Sequence, residues 1–440
     1  MNQQKSYRSS FILLTTLFFL WGFITVLVDS LIPRLRELFT LTYFQAGLVQ
    51  FAFFGAYFLL SIPASYILSK IGYKKGIILG LLTMATGCLL FYPAASYRMF
   101  GIFMLAYFIL AGGMTILQVA ANPFVAVLGS EDGASSRLNL SQAFNSLGTA
   151  IAPAVGALFI LSDKIKTEDE IAALTGTAKD TYLATEASAV QTPFLGLALF
   201  IGLIAVIFLF AKLPKMISET STGTYAEAFQ NKNLMLGVLG IFFYVGAEVA
   251  IGSYLVSYFL DMNLTPLISE SNVLMSIADG VASIFNKSLE GSDSKALLGI
   301  FVIFYWSGAM IGRFVGSYLT RIMKPGKVLG IFATIAITLI IISISTTGLV
   351  SMWSILAVGL FNSIMFPTIF TLSIDGIGEL KPKGSGLLCT AIVGGALIPP
   401  LYGYLTDQIG FKSALFFIII CYSYILWFGY RNAKKSVQHA

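Results

Sequence analysis

The chain has 440 residues, 57% of them hydrophobic, 14% aromatic and only 11% charged, with a formal net charge of +6. Soluble proteins average roughly 25% charged residues, so lipid fits these side chains better as a solvent than water around an oversized core. The basic residues are spread among short polar segments instead of clustering with aromatics, which argues against nucleic-acid binding. The single histidine, His439, lies in a polar tail, which removes His-based catalysis and most His-containing metal sites.

Apolar runs long enough to cross roughly 30 Å of hydrocarbon begin at Phe11, Ala46, Gly76, Phe100, Leu140 and Phe194. A second set begins at Leu234, Ala296, Val328, Met352, Gly386 and Ser413. The first run reaches Leu31 without a small-residue cleavage site, so it reads as a helix and not as a removable leader. Cys88, Cys389 and Cys421 fall inside apolar runs and read as buried thiols, with no disulfide framework and no metal site.

The expectation is an all-α membrane protein with 12 transmembrane helices in two six-helix bundles, residues 1–211 and 234–440. The polar stretch 212–233 would be the linker. Lys70, Lys74, Lys75, Arg321, Lys324 and Lys327 outweigh Arg34 and Arg36 on the opposite side, which places both termini in the cytoplasm of a multi-pass bacterial inner-membrane protein. Two longer polar segments, near 162–193 and 261–295, are net acidic and are expected outside as loops carrying short surface helices.

Matching features recur across the linker. Lys70 and Arg321, Pro123 and Pro367, and Pro153 and Pro399 stand 251, 244 and 246 residues apart. Parallel repeats of this kind are the pattern of the major facilitator architecture, whose substrate site lies near mid-membrane between the halves.

An ionisable group within a span costs at least ~2.5–3.5 kcal/mol on insertion scales, so each is by default a functional candidate facing a cavity. Asp29 follows Trp21 and Thr25 at spacings of four on one helix face, and Glu248 follows Tyr244 in the same way. A carboxylate beside an aromatic ring suits a sugar, because the acid accepts hydroxyl hydrogen bonds while the ring covers an apolar sugar face. Two readings stay open for Glu248: a cavity acid, or the partner of an arginine such as Arg313. Asp29 reads as a cavity group or as an interfacial acid before Pro33, and Arg313 as a cavity residue, a gate or a snorkelling cation.

Gln118 and Asn122 are spaced by four in TILQVAANPF, and Gln142 and Asn145 by three in LSQAFNSLG. Amides both donate and accept, which suits a neutral polyhydroxylated ligand. The alternative is helix-to-helix hydrogen bonding, worth ~0.6 kcal/mol per contact. Asn362, in GLFNSIMFP, is a further single amide.

The strings WGFITVLVDSLIP, YFQAGLVQFAFFGAYFLLSIPA, QVAANPFVAVLG, RLNLSQAFNSLG, FFYVGAEVAIGSYLV and IGRFVGS resemble the fucose/glucose/galactose sugar:cation symporter family of the major facilitator superfamily, over about residues 11–405. The resemblance implies alternating access and uptake of a neutral hexose with a cation, usually a proton. It also implies a proton-coupling role for Asp29 and sugar-facing roles for Gln142 and Asn145. Gln118 stands where the fucose-proton member has a glutamate, and Glu248 where it has a glutamine. That exchange points to glucose/galactose or N-acetylglucosamine types, and away from fucose.

The expected substrate-binding set is Glu248, Gln118, Asn122, Gln142, Asn145, Tyr244, Trp21 and Asn362. Asp29 and Glu248 are the expected coupling groups, and Arg313, Arg321 and Lys70 the expected gating or structural ones. No cofactor is implied beyond the coupling proton or sodium ion. The expected partners are a monosaccharide and the lipid bilayer, with the chain acting as a monomer. Sodium coupling, a metabolite or drug antiporter and a non-transporting sugar sensor are the alternatives. An enzyme is disfavoured because no nucleophile, base and metal cluster come together on the chain.

Overall fold

The computed structural model describes residues 2–38, 43–97, 99–159, 175–214, 223–284, 289 and 294–435. Backbone groups inside hydrocarbon must be satisfied within their own segment, and the described apolar runs accordingly form helices. The first half holds α1 (Asn2–Leu38), α2 (Tyr43–Ile71), α3 (Tyr73–Tyr97), α4 (Phe100–Val127), α5 (Ala134–Phe159) and α6 (Gly176–Phe210). A short α7 (Tyr225–Gln230) precedes α8 (Lys232–Asp261), α9 (Leu264–Ser269), α10 (Asn272–Ile284), α11 (Ser294–Ile322) and α12 (Pro325–Ser345). The chain then continues through α13 (Gly348–Asn362), α14 (Met365–Ile374), α15 (Lys381–Thr390), α16 (Gly394–Ile409) and α17 (Phe411–Lys435).

Eleven described segments are long and apolar enough to cross a membrane, two of them running continuously through α13–α14 and α15–α16. The more polar α5 spans about 39 Å at 1.5 Å per residue and packs against α1 and α11, making the twelfth crossing helix. Two expectations need correction. The segment from Gly176 to 193 is the first part of the continuous helix α6, not a loop with separate short helices. The runs starting at Met352 and Gly386 are not single helices, because each is interrupted, at Ser363–Ile364 and through a 3-10 turn at Ala391–Val393. The expected short helices of 261–295 are present as α9 and α10. His439 and residues 160–174 lie outside the described part.

Packing groups α1 with α5, α2 and α3 with α4, and α3 with α6. In the second half α8 packs on α14, α16 and α17, α11 on α13, and α12 on α13 and α17. Small residues permit the closest approaches. A Cβ at Gly148 of α5 would overlap the Phe19 carbonyl of α1, and one at Gly312 of α11 would overlap the Leu360 carbonyl of α13. Cys88, Cys389 and Cys421 are free and buried.

The two groups of helices meet along two seams, α5 with α11 and α14, and α2 and α4 with α15. Toward the end where α2 turns into α3 at Gly72, the seams are hydrogen-bonded. Ser136 Oγ donates to Ser317 O at 2.8 Å and Ser317 Oγ to Ser136 O at 2.9 Å. Asn139 Nδ2 donates to Thr368 Oγ1 at 3.1 Å, and Ser385 Oγ to Val119 O at 2.8 Å. Tyr225 of α7 donates to Ile62 O at 3.0 Å and also meets Ser65 Oγ. This end is closed.

Outside the closed seams lies a vestibule of about 1230 Å³, lined by Arg321, Lys324, Glu131, Asp375 and Lys381 among others. Lys381 Nζ stands 3.4 Å from Glu131 Oε1 across the two groups, but Glu131 is 73% exposed, so the pair contributes little. Asp375 on the rim is held above the usual carboxylate range, first by partial loss of solvent and then by Glu131, with Lys381 opposing. A raised carboxyl favours the folded state while protonated, and that advantage is lost as pH rises through the raised value. Asp375→Asn is therefore expected to raise the melting temperature by about a degree near pH 8, the gain shrinking as pH is lowered. A gain that grows toward acid pH would contradict this.

Candidate functional site

Glu248 lies mid-way along α8 with Tyr244 one turn earlier, and the two side chains neighbour each other. The carboxylate is 13% exposed and stands 3.9 Å from Arg313 Nη2 of α11, itself 15% exposed. Arg313 Nε also donates to Ser363 O at 3.2 Å, at the break between α13 and α14. The close approach at Gly312 is what brings the guanidinium onto that break. Arg313 Nη1 crosses the seam to α5, where Gln142 O accepts at 3.5 Å and Ser146 Oγ also accepts. Of the two sequence readings for Glu248, the arginine partner is present, in a position that also adjoins the other half.

Three phenols complete this side. Asn362 Nδ2 donates to Tyr305 OH at 2.7 Å and to Tyr422 OH at 3.1 Å, and Tyr305 OH faces the Glu248 carbonyl at 3.5 Å. The Tyr244 hydroxyl, Glu248 Oε1 and Asn362 Oδ1 are buried and make no hydrogen bond of full geometry, with Tyr244 and Glu248 adjoining each other and Glu248 Oε1 meeting Arg313 only at 3.9 Å. Buried polar atoms are ordinarily paired, so three such atoms in one cluster mark a place built to receive hydrogen bonds from a ligand or water.

Across the seam, Gln118 Nε2 donates to Tyr57 OH of α2 at 2.7 Å. Gln142 Nε2 reaches Asn122 Oδ1 at 3.4 Å, which joins the two amide pairs and leaves Asn122 Nδ2 unpaired. Asn145 Nδ2 donates to Phe18 O of α1 at 2.9 Å. In this state the first-half amides bond mostly to neighbouring helices, the alternative reading of the sequence. Trp21 is 7% exposed and meets Phe18 edge-on at 5.6 Å, so it is core here and not an open platform.

Asp29 lies on the α1 backbone, but its side chain falls outside the described residues. Lys70 is exposed at the end of α2 with its ammonium 4.3 Å from the Tyr66 ring centroid, and exposed Arg321 lines the vestibule. Both stand at the closed end, away from the Glu248 cluster. Sequence reasoning missed Tyr57, Tyr305, Tyr422 and Ser146. Tyrosines inside spans were the available signal, since a buried phenol seeks a partner.

Comparison with known proteins supplies the family. The sequence model of the Major Facilitator Superfamily matches residues 9–391. The chain belongs to this superfamily.

As a major facilitator it is a membrane transporter and not an enzyme. It is 45% identical to a glucose/galactose transporter of Brucella abortus, across 99% of this chain and 96% of the relative. It is 34% identical to an L-fucose-proton symporter of Escherichia coli, over 99% of this chain and 96% of that one. A solved structure of FucP in the outward conformation superposes with a TM-score of 0.85 at 32% identity, covering 97% of this chain and 99% of that one. Within a major facilitator, interrupted helices near mid-membrane are pointers to the ligand site. Here the break at Ser363 is the one that Arg313 holds.

Proposed function

We propose that this transporter takes up a neutral hexose of the glucose/galactose or N-acetylglucosamine type by proton symport, moving between outward-open and inward-open states. The observation that carries the reading is the Glu248–Arg313 cluster. It is a buried acid and base among phenols and amides where the two halves adjoin, in a chain similar along its length to a glucose/galactose transporter. Residues 1–211 and 234–440 would form the two moving halves, with 212–233 as linker and both termini cytoplasmic in a bacterial inner membrane. Asp29 would take the coupling proton from outside. Glu248, Tyr244 and Asn362 would meet the sugar from one half, and Gln118, Asn122, Gln142, Asn145 and Trp21 from the other.

Protonation and sugar shift the conformational equilibrium only through their different affinities for the two states. No resident cofactor is required. The test is uptake of labelled D-glucose, D-galactose, N-acetylglucosamine and L-fucose by proteoliposomes, under imposed proton or sodium gradients, with the protein acting as a monomer. The expected result is accumulation of glucose or galactose driven by an inward proton gradient and abolished by a protonophore. Accumulation that follows sodium at fixed pH would replace the proton, and absence of sugar flux would overturn the reading.

A further inference from the structure

Arg313 is bound to both halves at once. Ser363 O and Glu248 belong to its own half, while Gln142 O and Ser146 Oγ belong to α5 across the seam. A guanidinium keeps its charge and presents five N–H donors, and this one is 15% exposed, so its charge must be met by protein groups. Among the described residues, the charged or titratable groups facing Glu248 are Arg313 of α11, Tyr244 of α8, Tyr305 of α11 and Tyr422 of α17. The α5 groups nearby, Gln142 and Ser146, carry no charge. Phenols stay neutral over the working pH range, which leaves Arg313 as the partner able to change the carboxyl's protonation.

We propose that Arg313 is the positioning residue that ties the proton on Glu248 to the closure of the α5–α11 seam. This rests on the proton-symport reading above, with Glu248 as a second protonation site beside Asp29. With the seam closed, α5 shares the guanidinium, and Glu248 is free to hold a proton. Opening this end withdraws Gln142 and Ser146 together, since both lie on α5. Arg313 then turns to Glu248, the anionic partner that travels with it among the described residues. An arginine drawn onto a carboxyl favours the ionised form, and the proton leaves toward the opened side.

Linkage is reciprocal, so a protonated Glu248 leaves Arg313 on α5 and holds the seam shut. A proton-loaded, sugar-free carrier therefore stays closed at this end, which prevents proton leak. A deprotonated, empty carrier is released to reorient. Sugar, by drawing the opposite ends of the halves together, supplies the free energy that opens the seam with the proton aboard.

The test uses the full-length protein in proteoliposomes with labelled D-glucose, measuring equilibrium exchange and pH-gradient-driven accumulation separately. Arg313→Gln is expected to exchange glucose while accumulating at least about tenfold less of it, with an exchange rate that no longer varies with pH. Arg313→Lys restores part of the accumulation, because the charge returns without the fork. Ser146→Ala weakens the α5 hold and is expected to admit protons without sugar, read with an entrapped pH dye. Wild-type accumulation and an unaltered pH profile in Arg313→Gln overturn the inference while leaving sugar symport standing. If Arg313→Gln neither exchanges nor folds, Ser146→Ala decides, and a tight vesicle with normal accumulation overturns the inference. A wild-type protein that does not respond to the pH gradient instead sinks the proton-symport reading itself.

Discussion

Asp29→Asn is expected to abolish accumulation of glucose against its gradient while leaving exchange across the membrane. The substitution keeps size and hydrogen-bonding capacity but removes the ability to gain and lose a proton, so the transport cycle loses its drive and not its path. The position supports this role, because Trp21, Thr25 and Asp29 share one face of α1. α1 packs along α5, the helix whose Gln142 and Ser146 meet Arg313. Asp29 lies in the outer part of the first apolar run, where an ionisable group is costly to retain without a function. The measurement is the ratio of internal to external glucose under a fixed proton gradient, compared with counterflow in the same vesicles. Wild-type accumulation in the variant would remove Asp29 from coupling, and loss of both activities would assign it to sugar binding or folding.

The crossing helices were readable from the sequence because hydrocarbon imposes one rule on every segment, and that rule is written in composition. The same rule hides what happens inside and beyond the bilayer. The breaks at Ser363–Ile364 and Ala391–Val393 leave the apolar runs unbroken, so hydropathy reads each as one helix. The early turns of α6 are polar and so resemble a loop up to 193, although a helix continuing past the hydrocarbon has no need of apolar residues. Glu248 and Arg313 stand out singly from their cost in a span, and the sequence leaves their pairing open beside a cavity role. The amides were legible as faces of α4 and α5, but the partners they take, Tyr57 OH and Phe18 O, depend on how α2 and α1 pack. Tyr305 and Tyr422 do not stand out in the sequence, because one hydroxyl on a large ring hardly lowers hydropathy. Their role emerges only where three helices bring them to Asn362.

Removing the Glu248 carboxyl outright is expected to harm the fold more than exchanging it. Glu248→Ala leaves Arg313 as a nearly buried cation with neutral partners only, Ser363 O, Gln142 O and Ser146 Oγ. Breaking one side of a buried pair costs about 3–5 kcal/mol, and the long 3.9 Å separation with three remaining acceptors places this case near the lower end. Glu248→Gln retains the shape and an acceptor oxygen, so most of that destabilisation is avoided, while the charge-assisted hydrogen bond that a sugar hydroxyl donates to the ionised carboxylate before the proton is taken up, worth about 1.5–3 kcal/mol, is lost. The glucose concentration for half-maximal exchange should then rise at least about tenfold. The two effects separate in a double-mutant cycle. Adding Arg313→Gln to Glu248→Ala should recover thermal stability, because it removes the stranded charge, without recovering affinity. Equal melting temperatures for Glu248→Ala and wild type would show that the ion pair does not hold the fold. Wild-type affinity in Glu248→Gln would take the carboxyl out of the sugar site.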